Sequence, residues 1–222
     1  MLILGVDTSG KNGSIALVEF EQASPRPLEV VPLEGGTFSA QLVPQISDLL
    51  KRHNRTRPDI DAFAVVSGPG SFTGLRVGLA AIKALAEILE KPIAAISLLE
   101  AVARISGLQG DITTALDAGR DELYAADFSI AENRTAACNQ RMLTREELIS
   151  ATDRQIVTCD AKIADFATQR GLRSRQVPYP KADFIATLGF EKLSKGESIN
   201  PLDLDANYIR RSDAELKRGS PR

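Results

Sequence analysis

The sequence has no tryptophan, one histidine and two cysteines in 222 residues, and aromatic residues of all kinds make up 5%. A core without large rings has to be filled by Ala, Val, Ile and Leu, which suits layered helices and sheet. The lone histidine, His53, leaves no set of imidazoles for a zinc or iron site of the usual kind, and no Gly-x-Ser-x-Gly elbow occurs, so a hydrolase built on a Ser or Cys nucleophile is disfavoured. Cys138 and Cys159 lack metal-ligand spacing and could form at most one bridge; a reducing compartment and two ordinary buried thiols are expected. The formal net charge of −2 supplies no field to hold a polyanion by counterion release, so any RNA contact has to be local or supplied by a partner. Long apolar runs are missing too. The opening MLILGVDTSG is too short for a membrane span and has no basic region before it, so a cytoplasmic protein with no membrane association is expected.

What is present is ordinary globular composition, with 43% hydrophobic and 25% charged residues. The length suits two packed lobes, expected at residues 1–106 and 107–222. Leu2–Val6 and Gly13–Phe20 read as a β-hairpin around the polar turn Asp7-Thr8-Ser9-Gly10, and Glu21–Pro32 as a Pro-rich loop leading to a weak strand near Val30–Leu33. From Ser39 to His53, Leu42, Val43, Ile46, Leu49 and Leu50 recur at helical spacing, with Pro44 near the first turn or kinking the helix. A strand at Ile60–Ser67, a helix from about Ser71 to Leu89, a strand at Pro92–Ser97 and a short helix at Leu98–Ile105 follow.

The stretch SGPGSFTGLRVG, residues 67–78, has the look of a phosphate cradle. A Walker loop needs Lys after its last glycine, whereas Gly74 is followed by Leu75; a dinucleotide fingerprint needs its third glycine at Thr73. Neither fits. The stretch predicts a sharp strand-to-helix turn at Gly68-Pro69-Gly70, capped by Ser71 or Thr73. The helix behind it is apolar or small around most of its circumference, with Arg76, Lys83, Glu87 and Glu90 on one narrow stripe. Gly74, Gly78 and Ala81 mark a side where another backbone can approach closely, at a cost of about 1 kcal/mol per glycine in helix propensity. Two explanations stand: the Ser39–His53 helix fills that side, or the two helices together offer an apolar surface to another subunit.

After Gly107 the plan repeats: Ile112–Leu116, the turn Asp117-Ala118-Gly119-Arg120, then Leu123–Phe128. Asp7 and Asp117 occupy equivalent places, as turn formers or as residues facing a phosphate or metal across a cleft. Further pieces are predicted at Thr144–Ala151, opened by a capping box, Gln155–Cys159, Ala161–Arg170, Arg175–Val177 and Ala182–Leu193, with a tail carrying Tyr208-Ile209-Arg210-Arg211. The basic runs Lys51–Arg55 with Arg57, and Arg210, Arg211, Lys217 and Arg218, lack interleaved aromatics and read as solvated faces.

Together, ILGVDTS, SGPGSFTGLRVG, ALDAGRDELYAADF and Tyr208-Ile209-Arg210-Arg211 resemble the TsaB (YeaZ) family over both lobes. The resemblance implies an α/β fold of the actin-like, sugar kinase and Hsp70 (ASKHA) type, two lobes with a duplicated βββαβα core. It further implies a non-catalytic scaffold or activator subunit whose catalytic partner is TsaD. With the ATPase TsaE, and a threonylcarbamoyl-adenylate made by a separate synthase, that complex transfers threonylcarbamoyl to N6 of the adenosine 3′ of the anticodon in tRNAs reading codons that begin with A.

Carried onto this sequence, the partner interface would comprise Leu42, Ile46 and Leu49 of the first helix and Gly74, Gly78 and Ala81 of the second. A homodimer through the same surface is expected when the chain is alone, with tRNA contacted indirectly through the complex. The metal-holding histidine pair of the catalytic relative is missing, so no cofactor is expected here; ATP and metal belong to partner subunits. Asp7, Thr8, Ser9, Asp117 and Gly119 then stand as vestigial phosphate-facing turns. Two alternatives are an ATP-binding kinase or hydrolase of the same superfamily, motivated by Asp7 and Asp117, and a glycoprotein-cleaving metalloprotease, which the missing histidines disfavour.

Overall fold

The computed structural model describes residues 1–131, 134–207 and 209. The chain forms two compact units, one from Met1–Ala101 with Pro180–Ala206, the other built on Val102–Tyr179. In the first, β1 (Leu2–Asp7), β2 (Gly13–Glu21) and β3 (Ser24–Leu33) run antiparallel, and β4 (Ala62–Gly68) and β5 (Ile93–Ser97) add in parallel, giving the order β3-β2-β1-β4-β5. The helices of this part are α1 (Phe38–Arg52) and α2 (Phe72–Leu89), and the boundary between the units falls within α3 (Leu98–Ile105). In the second unit β6 (Gly110–Gly119), β7 (Glu122–Ala131), β8 (Arg134–Thr144), β9 (Gln155–Thr158) and β10 (Ser174–Gln176) form a sheet of order β10-β9-β6-β7-β8. Read from the other edge, this is the same plan: three antiparallel strands, then two parallel ones. Its helices are α4 (Arg145–Ala151) and α5 (Ala161–Gln169), and α6 (Ala182–Ser194) follows.

The division differs from residues 1–106 and 107–222 chiefly through α6, which belongs to the first unit. The packing gives the reason. A Cβ on Gly5 of β1 would collide with the Ala182 carbonyl, and one on Gly189 with the Ala64 side chain, so α6 lies directly on the sheet; Ser14 Oγ accepts from the Ala182 amide at 3.0 Å. Every residue of β1 is buried, as a strand with helices on both faces requires.

Two strands are longer than, or absent from, the sequence reading. β3 begins at Ser24, directly after Gln22 and Ala23, whose φ values of 48° and 68° close a two-residue hairpin, with Glu21 paired to Ser24. Pro25, Pro27 and Pro32 hide this strand in the sequence; an edge strand tolerates them because its outer amides have no ladder partner. β8 is an edge strand of the second sheet and shows no alternation, since a bulge breaks it: Ala125 pairs with Arg141 but Asp127 with Cys138.

That bulge builds a polar cluster. Asn139, at φ 52°, donates through Nδ2 to Asp127 Oδ2 at 3.3 Å; Arg141 reaches both Asp127 oxygens at 2.9 and 3.3 Å, and Thr113 Oγ1 donates to Oδ1 at 2.9 Å. Burial pushes the Asp127 carboxyl up, but the hydrogen bonds from Arg141, Thr113 and Asn139 outweigh it and hold the group below the ordinary aspartate range. Of the cysteines expected to be buried, Cys138 lies exposed on this edge and Cys159 is half-buried. No helix among the described residues is long and apolar enough to cross a membrane.

Because the folded carboxyl titrates below the unfolded one, its contribution is complete above the unfolded aspartate pKa and is lost as pH falls through the folded value. Urea titrations from pH 7 to pH 3 therefore show a stability loss at the acid end that Asp127→Asn reduces, while at pH 7 the same variant is less stable by about 1–2 kcal/mol.

Candidate functional site

The site grows from the turn after β1. Thr8 and Ser9 are 2% and 3% exposed and Asp7 is fully buried, so this is no open polar loop. Asp7 Oδ1 accepts from the Ser9 amide at 2.8 Å and from Ser9 Oγ at 2.6 Å. Over the turn lies the loop that leaves β4: a Cβ on Gly70 would press into Ser9, and the Ser71 amide donates to the Ser9 carbonyl at 2.7 Å. Ser71 then caps α2, its Oγ accepting from the Gly74 amide at 3.3 Å, as the sequence predicts.

The next turn of α2 shows what the glycines are for. A Cβ on Gly74 would overlap the Thr8 carbonyl oxygen, and one on Gly78 would overlap Thr8 Oγ1. Thr8 thus lies against two glycines one turn apart, its carbonyl on Gly74 and its side chain on Gly78, and its hydroxyl donates to the Gly74 carbonyl at 2.8 Å. Phe38, at the start of α1, lies against both Gly13 and Gly74.

The expected interface residues need correcting on this ground. Gly74 and Gly78 spend their bare side on Thr8, and Leu42, Ile46 and Leu49 are 1%, 3% and 0% exposed in the chain's own core. None of these five offers surface to a partner. Ala81 is half-buried and stays at the margin.

Apolar surface nevertheless remains, one residue further round each helix. On α2, Val77, Ala80, Ala81, Ala84 and Ile88 share a side at i, i+3, i+4 spacing; Ala80 and Ala84 are exposed and Ile88 is 77% exposed. On α1, Ala40, Val43 and Pro44 are exposed, Val43 at 49%. Near the start of α2, Phe72 is capped by the Arg76 guanidinium, 3.7 Å above its ring. Sequence reasoning found the surplus but assigned it to the glycine side. The signal was there in the 77, 80, 81, 84, 88 spacing.

The second candidate turn is different. Asp117 is exposed and its Oδ1 accepts from the Gly119 amide at 3.2 Å, while Gly119, Arg120 and Asp121 take φ values of 73°, 56° and 61°. The carboxylate shapes a turn. The basic run after α1 is tied to acids: Arg52 donates to Glu29 at 3.1 and 2.9 Å, His53 Nε2 lies 2.9 Å from Glu29, and Arg55 pairs with Glu19. The hydrogen bond from Arg52 leads in holding the Glu29 carboxyl below its ordinary range. The basic residues Arg210, Arg211, Lys217 and Arg218, and the Tyr208 of the family string, lie outside the described residues. Among the described residues no group of three or more His, Cys, Asp and Glu is arranged to hold a metal ion.

The family model for TsaD, tRNA N6-adenosine threonylcarbamoyltransferase, matches residues 30–192. Two curated relatives named tRNA threonylcarbamoyladenosine biosynthesis protein TsaB align end to end: that of Bacillus subtilis (strain 168) is 27% identical over 98% of this chain and 97% of its own length, and that of Escherichia coli (strain K12) 26% over 98% of each. The chain belongs to this family, in its TsaB (YeaZ) branch. The solved structure of YeaZ from Pseudomonas aeruginosa, 23% identical, superposes with a TM-score of 0.73 over 93% of this chain and 99% of that one. The fold is accordingly the ASKHA-like α/β fold, and the duplicated strand order is its repeat.

The close approach of Thr8 reverses the usual sign of glycine replacement in a helix. Propensity alone makes Gly→Ala stabilising by about 1 kcal/mol. Here Gly74→Ala, which meets backbone, destabilises by about 2 kcal/mol and Gly78→Ala, which meets a side chain, by about 1 kcal/mol in urea unfolding. A gain in stability at either position contradicts the packing described.

Proposed function

We propose that this chain is a non-catalytic accessory subunit in the biosynthesis of threonylcarbamoyladenosine in tRNA. Its partner is a TsaD-type catalytic subunit, with the ATPase TsaE in the same assembly. That assembly transfers the threonylcarbamoyl group to N6 of the adenosine 3′ of the anticodon, in tRNAs that read codons beginning with A. The observation carrying the reading is the outer side of α2, where Ile88 stands 77% exposed in line with Ala84, Ala80 and Val77, together with the exposed Val43 of α1. A helix lying on its own sheet ordinarily keeps that side polar. Full-length likeness to relatives named for this pathway supports the same reading.

Docking goes through those outer residues, with Ala81 at the edge, and excludes the buried Leu42, Ile46, Leu49, Gly74 and Gly78. The same surface serves a homodimer when the partner is scarce. The kinase or hydrolase alternative is weaker, since the Asp7-Thr8-Ser9 turn is packed beneath α2 and its hydroxyls are engaged within the chain. ATP and metal are accordingly assigned to the partner subunits, and tRNA is contacted through them, in the cytoplasm.

Sedimentation of the chain mixed with TsaD decides the matter. A complex at micromolar concentration, weakened at least about tenfold by Ile88→Arg with no loss of fold, is the expected outcome. No complex, or one indifferent to Ile88→Arg and Val43→Arg together, overturns it.

A further inference from the structure

The turn after β1 joins three elements that the docking reading needs held at a fixed angle. Thr8 donates its hydroxyl to the Gly74 carbonyl, its backbone carbonyl lies on Gly74 and its side chain on Gly78, and, one residue on, the Ser9 carbonyl accepts from the Ser71 amide. All of this sits on a flank of α2 about a third of a turn round from the exposed Ala80 and Ala84, and Asp7–Ser9 is sealed, with Thr8 2% exposed. A Cβ at position 74 would meet the Thr8 carbonyl and one at position 78 the Thr8 side chain, so α2 can lie this close to the turn only with its two glycines against Thr8.

The second unit provides an internal control. Its sheet has the same order, and α5 follows β9 as α2 follows β4. Yet α5 contains no glycine, and Asp117 in the equivalent turn is exposed. The close approach is therefore not a requirement of the repeated plan. It accompanies the one helix of the pair that carries surplus apolar surface.

We infer that Thr8 is a positioning residue for docking: lying against Gly74 and Gly78, it locks the seating of α2 and so sets the direction in which Val77, Ala80, Ala84 and Ile88 face a partner. The inference rests on the docking reading given above. It also assigns Asp7, Thr8 and Ser9 to fastening a helix, in place of the phosphate-facing part they were expected to play.

Thr8→Val removes the hydroxyl and keeps the shape, and Thr8→Ser restores the hydroxyl. Two measurements on the full chain are needed, amide hydrogen exchange resolved to α2 and affinity for TsaD, both well below the melting temperature. In Thr8→Val, exchange rises across residues 74–84 and stays at the wild-type level in α6, while affinity falls about fivefold, the loss of one hydrogen bond; Thr8→Ser returns both toward wild type. A merely structural role would lower the melting temperature without moving the affinity of the folded protein, and that result overturns the inference, as does unchanged exchange in α2. The two readings fail separately. Wild-type chain that does not bind TsaD sinks the docking reading, whereas wild-type chain that binds, with Thr8→Val binding equally well, sinks only the part assigned to Thr8.

Discussion

The contact between Thr8 and the glycine side of α2 is the constraint on which the first unit depends. It requires a helix with two bare positions one turn apart, a turn after β1 whose opening residues Asp7, Thr8 and Ser9 are small enough to be buried, and a loop after β4 that can fold back on Ser9. Each of those demands is visible as a piece of sequence: Gly74 and Gly78, DTS, and SGPGS. The close approach gives up helix propensity at two positions. In return the helix lies near the turn with a buried hydrogen bond at its first turn, and its inner side is completed by Leu75, Leu79, Ile82 and Ala86.

Around that contact the unit is tied on both faces of its sheet. Gly5 and Gly189 let α6 lie as close on one face as Gly74 and Gly78 let α2 lie near the turn, and Ser14 caps the α6 amide. The second unit has a polar fastening as well as an apolar core. Ala115, Leu123, Leu148, Ile156, Ile163 and Ala167 form one of its hydrophobic clusters, and a carboxylate with several donors, Asp127, ties β6, β7 and β8 together. Two units of one plan thus differ in one of their fastenings, close backbone approach at glycines in the first and a charged cluster with acid sensitivity in the second.

Much of this was legible in the residues. The hairpins, the periodic helices, the Ser71 cap and the Thr144-Arg145-Glu146-Glu147 capping box are local patterns, and the structure reproduces them within a residue or two at most ends. β3 and β8 were not legible, because prolines on one edge and a bulge on the other erase the alternation by which strands are recognised. The place of α6 is a long-range outcome that no local window holds. At the site, the sequence revealed that α2 has more apolar surface than one sheet can cover, but not which side is covered. Glycine pairs mark close approach without saying to what, and here the approaching group is a threonine of the same chain.

The functional reading therefore stands on the outer side of α2, which the fold leaves uncovered while it packs the inner side tightly. Chemical protection of that side measures the claim most directly. In a Cys138→Ser, Cys159→Ser background, a single thiol placed by Ile88→Cys is titrated with a maleimide in the absence and presence of TsaD. The account predicts rapid labelling of the chain alone and labelling slowed in proportion to the fraction in complex. A thiol at position 88 that reacts as fast in a confirmed complex as outside it would contradict the account.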